Sequence, residues 1–184
     1  MDNLTVKGDE VRHGASLYLD ALSGELIDSL GDAVLSEAML RQLNDGSAPI
    51  TPLTGAQIAR HVKTSGEMVL ALRLRADDRC IGACRLGDIG WQGRHALLEV
   101  AIVDEAHYTV DMLADAIRTL LQFAYWEANL NRIYVHCAED NTTLLAALKQ
   151  AGFTDEGRLR QEVYRDGRYL DKVVCSMLSR EWSG

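Results

Sequence analysis

The chain has 184 residues, 47% of them hydrophobic and 25% charged. That is the size of one ordinary domain with enough apolar side chains to fill a core, which excludes a chain disordered throughout. The net charge of −8 opposes general binding to nucleic acid or to an anionic membrane.

In chain order, residues 9–20 read as a strand followed by a turn. Residues 23–43 carry apolar positions at helical spacing, broken by Gly31 into two helices. Thr54 is a suitable N-cap for a helix over 55–65 that ends at Gly66. Three strands follow, over 67–76, 79–90 and 94–103, with turns at Asp77-Asp78 and at Trp91-Gln92-Gly93. Residues 94–103 are apolar on both faces except at Glu99, which places that strand centrally in a sheet. Residues 110–129 form an amphipathic helix with the stripe Leu113, Ile117, Leu120, Leu121 and Ala124. Residues 132–138 form a short strand, and Asn141 caps a helix that Gly152 closes. Two last strands, 153–165 and 168–180, flank the hairpin turn Asp166-Gly167. The order β-αα-βββ-α-β-α-ββ defines an α+β class with a mixed, mostly antiparallel sheet, in a single domain over 1–184.

No apolar run approaches the roughly 18 residues that cross a bilayer, and the opening MDNLTVKGDE lacks the basic and apolar regions of a secretory leader. Four scattered cysteines, Cys80, Cys84, Cys137 and Cys175, read as reduced thiols rather than a disulfide framework or zinc site. The expectation is a cytoplasmic protein with no metal. Charge is uneven along the chain: residues 157–184 hold six basic and four acidic side chains. Glycine is uneven too. The chain has 15 glycines, yet none between Gly93 and Gly152.

The C-terminal part carries a series of short motifs in order: Asn131-Arg132, the helix cap Asn141, Gly152-Phe153, Glu156-Gly157, Arg160, Gly167, Asp171 and Glu181-Trp182. This series resembles the GNAT acyltransferases, and within them the branch that acetylates ribosomal-protein N-termini. The resemblance implies transfer of an acyl group from a thioester donor, acetyl-CoA or another acyl-CoA, to a primary amine of a small molecule or a peptide N-terminus. It implies that backbone groups at Ala101, Ile102 and Val103 hold the donor, that Asn141 contacts its pantetheine arm, and that Glu99 accepts the amine's proton through water. A homodimer is compatible with such folds.

The chain departs from that family at two places. The loop that should cradle the coenzyme A pyrophosphate needs glycine for close backbone approach. Here it reads DEAHYTVDMLADA (104–116), with Asp111 or Val110 at the central glycine position. An acid there repels phosphate: two unit charges about 4 Å apart at a dielectric near 20 cost about 4 kcal/mol. The positions that often supply a general acid hold Leu144 and Leu148. Three readings follow: a GNAT N-acyltransferase; the same chemistry from a donor without a free pyrophosphate, such as an aminoacyl-tRNA or an acyl carrier protein; and a non-catalytic module on this fold. His107 and Tyr108 sit in the altered loop and could contact such a donor. Arg158, Arg160, Arg165 and Arg168 form the one basic patch for phosphate or tRNA. His95, four residues before Glu99 on one strand face, and His136 are further candidate bases. Cys137, adjacent to His136, points the opposite way.

Overall fold

The computed structural model describes residues 14–21 and 66–183. Within them, seven strands form one sheet: β1 (Leu17–Ala21), β2 (Met68–Leu74), β3 (Cys80–Gly90), β4 (His95–Ile102), β5 (Arg132–Ala138), β6 (Thr154–Arg165) and β7 (Arg168–Leu178). Their spatial order is β1-β2-β3-β4-β5-β7-β6. Every neighbouring pair is antiparallel except β4 with β5, which is parallel. Two helices lie in the described residues, α1 (Val110–Gln122) after β4 and α2 (Thr142–Ala151) after β5. The architecture is the α+β class with a mixed, mostly antiparallel sheet. The helices expected over 23–43 and 55–65 lie outside the described residues.

Local chemistry explains most boundaries. Asn141 accepts a hydrogen bond from the Leu144 amide at the start of α2, and Gly152 ends it in the left-handed region at φ 97°; glycine adopts that conformation without steric penalty. Asp166 and Gly167 both have positive φ, 50° and 79°, the geometry of the tight turn that matches strand twist. Two expectations need correction. Of the 9–20 stretch, the described part is a bend at 15–16 leading into a strand over Leu17–Ala21, where the alternating Leu17 and Leu19 are buried against β2. The 110–129 helix stops being regular α-helix at Gln122 and continues as a wider π turn over Phe123–Glu127.

Strand β4 divides the molecule. Its even-numbered side chains, Ala96, Leu98, Val100 and Ile102, enter the main core with Leu113, Ile117, Leu120 and Leu121 of α1. From β5, Ile133, Val135 and Cys137 join the same core. The alternate residues, His95, Leu97 and Glu99 on β4 and Tyr134 and His136 on β5, take the opposite face of the sheet. Trp91 and Trp126 are 57% and 61% exposed.

Candidate active site

The β4–β5 seam is short. Three residue pairs make it: His95 with Arg132, Ala96 with Ile133, and Leu97 with Tyr134. Beyond Leu97 the two strands part, although β4 runs on to Ile102 and β5 to Ala138. On its other side β4 stays paired with β3 to its end, Ile102 opposite Gly82. The Val103 amide donates to the Ile81 carbonyl at 2.8 Å. Hydrogen-bonding direction alternates along an antiparallel strand, so Val103, Ala101 and Glu99 aim their backbone groups at β3. Val100 aims its N–H and carbonyl toward the parting. Of the stretch 101–103, Ala101 and Val103 are therefore engaged with β3.

Glu99 lies on the non-core face at the parting, but not alone. The Arg85 guanidinium pairs with Glu99 and also with Glu67, the latter at 2.8 Å. Burial works against the Arg85 charge, yet Glu99 and Glu67 more than offset it and hold its pKa above the ordinary arginine value. Two carboxylates share the Arg85 cation. His136 lies two residues beyond Tyr134 on β5, past the last β4–β5 pair, and takes the same sheet face as Glu99. Tyr134 lies between the two histidines: its ring centroid is 5.4 Å from His136 and 6.2 Å from His95.

His95 belongs elsewhere. It shares a face with Glu99 but lies roughly 13 Å away at about 3.3 Å per residue, at the closed end of the seam. Its ring fills the space beside Gly90 and Gly93 in the β3–β4 turn. His95 therefore lies at the closed end of the seam, apart from Glu99. Cys137 is in the core, and burial pushes its thiol up to about 12, which makes it a poor nucleophile at neutral pH.

The loop between β4 and α1 closes the open end. Residues Glu105–His107 form a single 3-10 turn. Its amides turn inward. Ala106 donates to the Asp104 side chain at 3.0 Å, His107 to the Asp104 carbonyl at 2.9 Å, Tyr108 to the Glu105 carbonyl at 3.2 Å, and Thr109 to the His107 carbonyl at 2.8 Å. Thr109 caps α1 by accepting from the Met112 amide. Residues 103–112 are absent from those with positive φ. Asp111 is exposed and accepts a hydrogen bond from Gln150 at 3.0 Å, so solvent weakens the repulsion expected from sequence.

Tyr108 crosses the opening. Its hydroxyl donates to Asn141 Oδ1 at 2.9 Å, joining the end of the β4 side to the end of the β5 side. Burial raises its pKa. Nothing in sequence spacing predicts this pair; the one signal was that both residues border the same expected opening.

The hairpin arginines are largely compensated. Arg165 and Arg168 pair with Asp140 at 3.1 and 3.6 Å, and Arg158 pairs with Glu139 at 3.5 Å. The expected phosphate or tRNA patch therefore has acids interleaved through it, with Arg160 remaining exposed. Among the described residues no group of three or more His, Cys, Asp or Glu side chains could hold a metal. No described helix is long and apolar enough to cross a membrane.

A sheet whose central parallel pair opens beside an acid-bearing strand defines an acetyltransferase-like fold, and comparison with known proteins agrees. The model of the acetyltransferase (GNAT) domain matches residues 53–174. The chain belongs to that family. It is 36% identical over 73 residues to a putative ribosomal N-acetyltransferase, YdaF, of Bacillus subtilis, covering 40% of each chain. It is 30% identical over 96 residues to the spermidine N(1)-acetyltransferase of Vibrio cholerae, covering 52% of this chain and 55% of the relative. These matches span about half or less of each curated relative. A crystal structure of spermidine N-acetyltransferase from Vibrio cholerae in complex with CoA and spermine superposes with a TM-score of 0.78 at 20% identity, covering 91% of this chain and 98% of that one.

Proposed function

We propose that the protein is an N-acyltransferase that moves an acyl group from a thioester to a primary amine, giving an amide. The observation that carries this reading is the parting of β4 from β5 with Val100 facing into it and Glu99 beside it. The backbone of β4 offers a strand edge to an amide-bearing donor arm, and a peptide N–H there polarises the acyl carbonyl.

The acceptor is a cationic amine. The Glu99 carboxylate beside the parting offers an ammonium group a negative partner, and Tyr134 adds an aromatic face. Because Arg85 holds part of the Glu99 charge, Glu99 acts chiefly by stabilising positive charge on the attacking nitrogen. His136, on the same face of β5, is the base that takes the proton in this reading. The likeness to spermidine acetyltransferases supports a small polyamine-type acceptor, and the resemblance to the ribosomal branch supports a peptide N-terminus. Of the two, the longer match, to the spermidine acetyltransferase, favours the small cation.

The test is thiol release from acetyl-CoA and from acetyl-pantetheine in the presence of spermidine, spermine, lysine and a peptide amine. Amine-dependent release with an acetylated amine product supports the reading. If no amine is acetylated from either donor, the reading fails.

A further inference from the structure

Resting on the acyl-transfer reading, we propose that the site recognises the pantetheine arm of its acyl donor and makes no binding grip on a nucleotide pyrophosphate. The donor class is an acyl thioester of pantetheine, whatever head group lies at the far end of the arm. Three independent observations support it.

The first is conformational. A backbone cradle for phosphate needs several successive N–H groups aimed at one point outside the loop. Here the amides of Ala106, His107, Tyr108 and Thr109 all bond to acceptors within the loop itself. None of residues 103–112 takes the left-handed conformation that turns amides outward in such cradles, and none is glycine. The residues present do not fit a pyrophosphate.

The second is electrostatic. Between Arg94 and Arg118 the chain holds no lysine or arginine, but it holds Glu99, Asp104, Glu105, Asp111 and Asp115. Among the described residues, two arginines near the loop, Arg79 and Arg118, and the His107 ring are engaged. Arg79 bonds Asp104 at 2.8 Å, His107 also faces Asp104, at 3.0 Å, and Arg118 donates to the Gln150 carbonyl at 2.6 Å. A phosphate arriving here competes with Asp104 for Arg79 and meets the further acids Glu105 and Asp111.

The third is the part that survives. The strand edge at Val100, beyond the last β4–β5 pair, is intact. It is suited to the amide groups of pantetheine, which hydrogen-bond like an added strand. Among the described residues, a strand edge for the arm is present while a cradle for the head group is not.

Calorimetric titration of the full chain with CoA, 4′-phosphopantetheine and pantetheine tests the proposal without needing the acceptor. The three dissociation constants should agree within about tenfold, a spread of about 1.4 kcal/mol. That of CoA should change less than about threefold between about 50 and 500 mM salt, because a gripped polyanion is sensitive to screening. CoA binding more than about a hundredfold tighter than pantetheine, or steep salt dependence, overturns the proposal and leaves acyl transfer standing. If none of the three binds at millimolar concentration, the acyl-transfer reading falls and takes the proposal with it.

Discussion

The two ends of the β4–β5 seam are built from one pair of strands and do opposite work. At the closed end three ladder pairs are reinforced from outside the ladder. The Arg94 carbonyl accepts the amides of Asn131 at 2.6 Å and Arg132 at 3.1 Å, and the Arg132 guanidinium grips Glu156. At the open end no ladder joins the strands; a loop side chain, Tyr108, reaches across to Asn141 instead. The difference teaches that address along a strand outranks the face it shares. His95 and Glu99 lie on one face, yet one fills a turn and the other borders the opening.

Glycine substitutions probe that contrast most strongly. A Cβ on Gly82 would overlap the Ala101 carbonyl oxygen, a backbone atom of β4 behind the open end. Gly82→Ala should cost about 3 kcal/mol or more in denaturant unfolding, because β3 and β4 must separate. A Cβ on Gly90 meets only the His95 ring, which can rotate away, so Gly90→Ala should cost about 1 kcal/mol. Equal losses would erase the distinction between the two ends.

Activity should divide in the same place. Glu99→Gln is expected to lower kcat/KM for amine acetylation about a hundredfold, within the range for charge and proton-transfer groups. His95→Gln should stay within about threefold of the parent, since its ring touches the turn and not the parting. Steady-state kinetics on both variants, with circular dichroism as a control for folding, checks this. A larger loss from His95→Gln than from Glu99→Gln would break the comparison.

Smaller effects refine it. Tyr108→Phe removes one hydrogen bond at the opening and should cost about 1 kcal/mol of unfolding free energy. At the closed end, the hydrogen bonds from Arg132 hold Glu156 down to about 2. A carboxylate depressed in the folded state stabilises the protein above its unfolded pKa, and that contribution fades as pH falls through the folded value. Stability should therefore decline from about pH 5 toward about pH 2, and Glu156→Gln should flatten that decline. Both side chains are partly exposed, so the effect stays below about 1 kcal/mol. Urea titrations at both pH values measure it.

Features set by near neighbours were legible in the sequence. The Asn141 and Gly152 ends of α2 and the Asp166-Gly167 turn depend on one or two residues each. The opposite facing of His136 and Cys137 follows from strand alternation. What was not legible needed register between distant segments. The pairing of Arg85 with Glu99 follows from how β3 and β4 align, and that alignment shifts between Gly87 and Gly90. The same register engages Val103 with Ile81. The glycine-free stretch pointed to an altered loop, but only the fold shows its amides turned inward.

Asn141 Oδ1 accepts from two donors at once, the Leu144 amide at 3.2 Å and the Tyr108 hydroxyl at 2.9 Å. A single atom thus ties helix initiation to closure of the opening. Without the phenol, that oxygen keeps the Leu144 amide as its donor, and the cap is free to strengthen or reorient. The exchange rate of the Leu144 amide proton with solvent is consequently a native reporter on the doorway, readable without any label placed in the site itself.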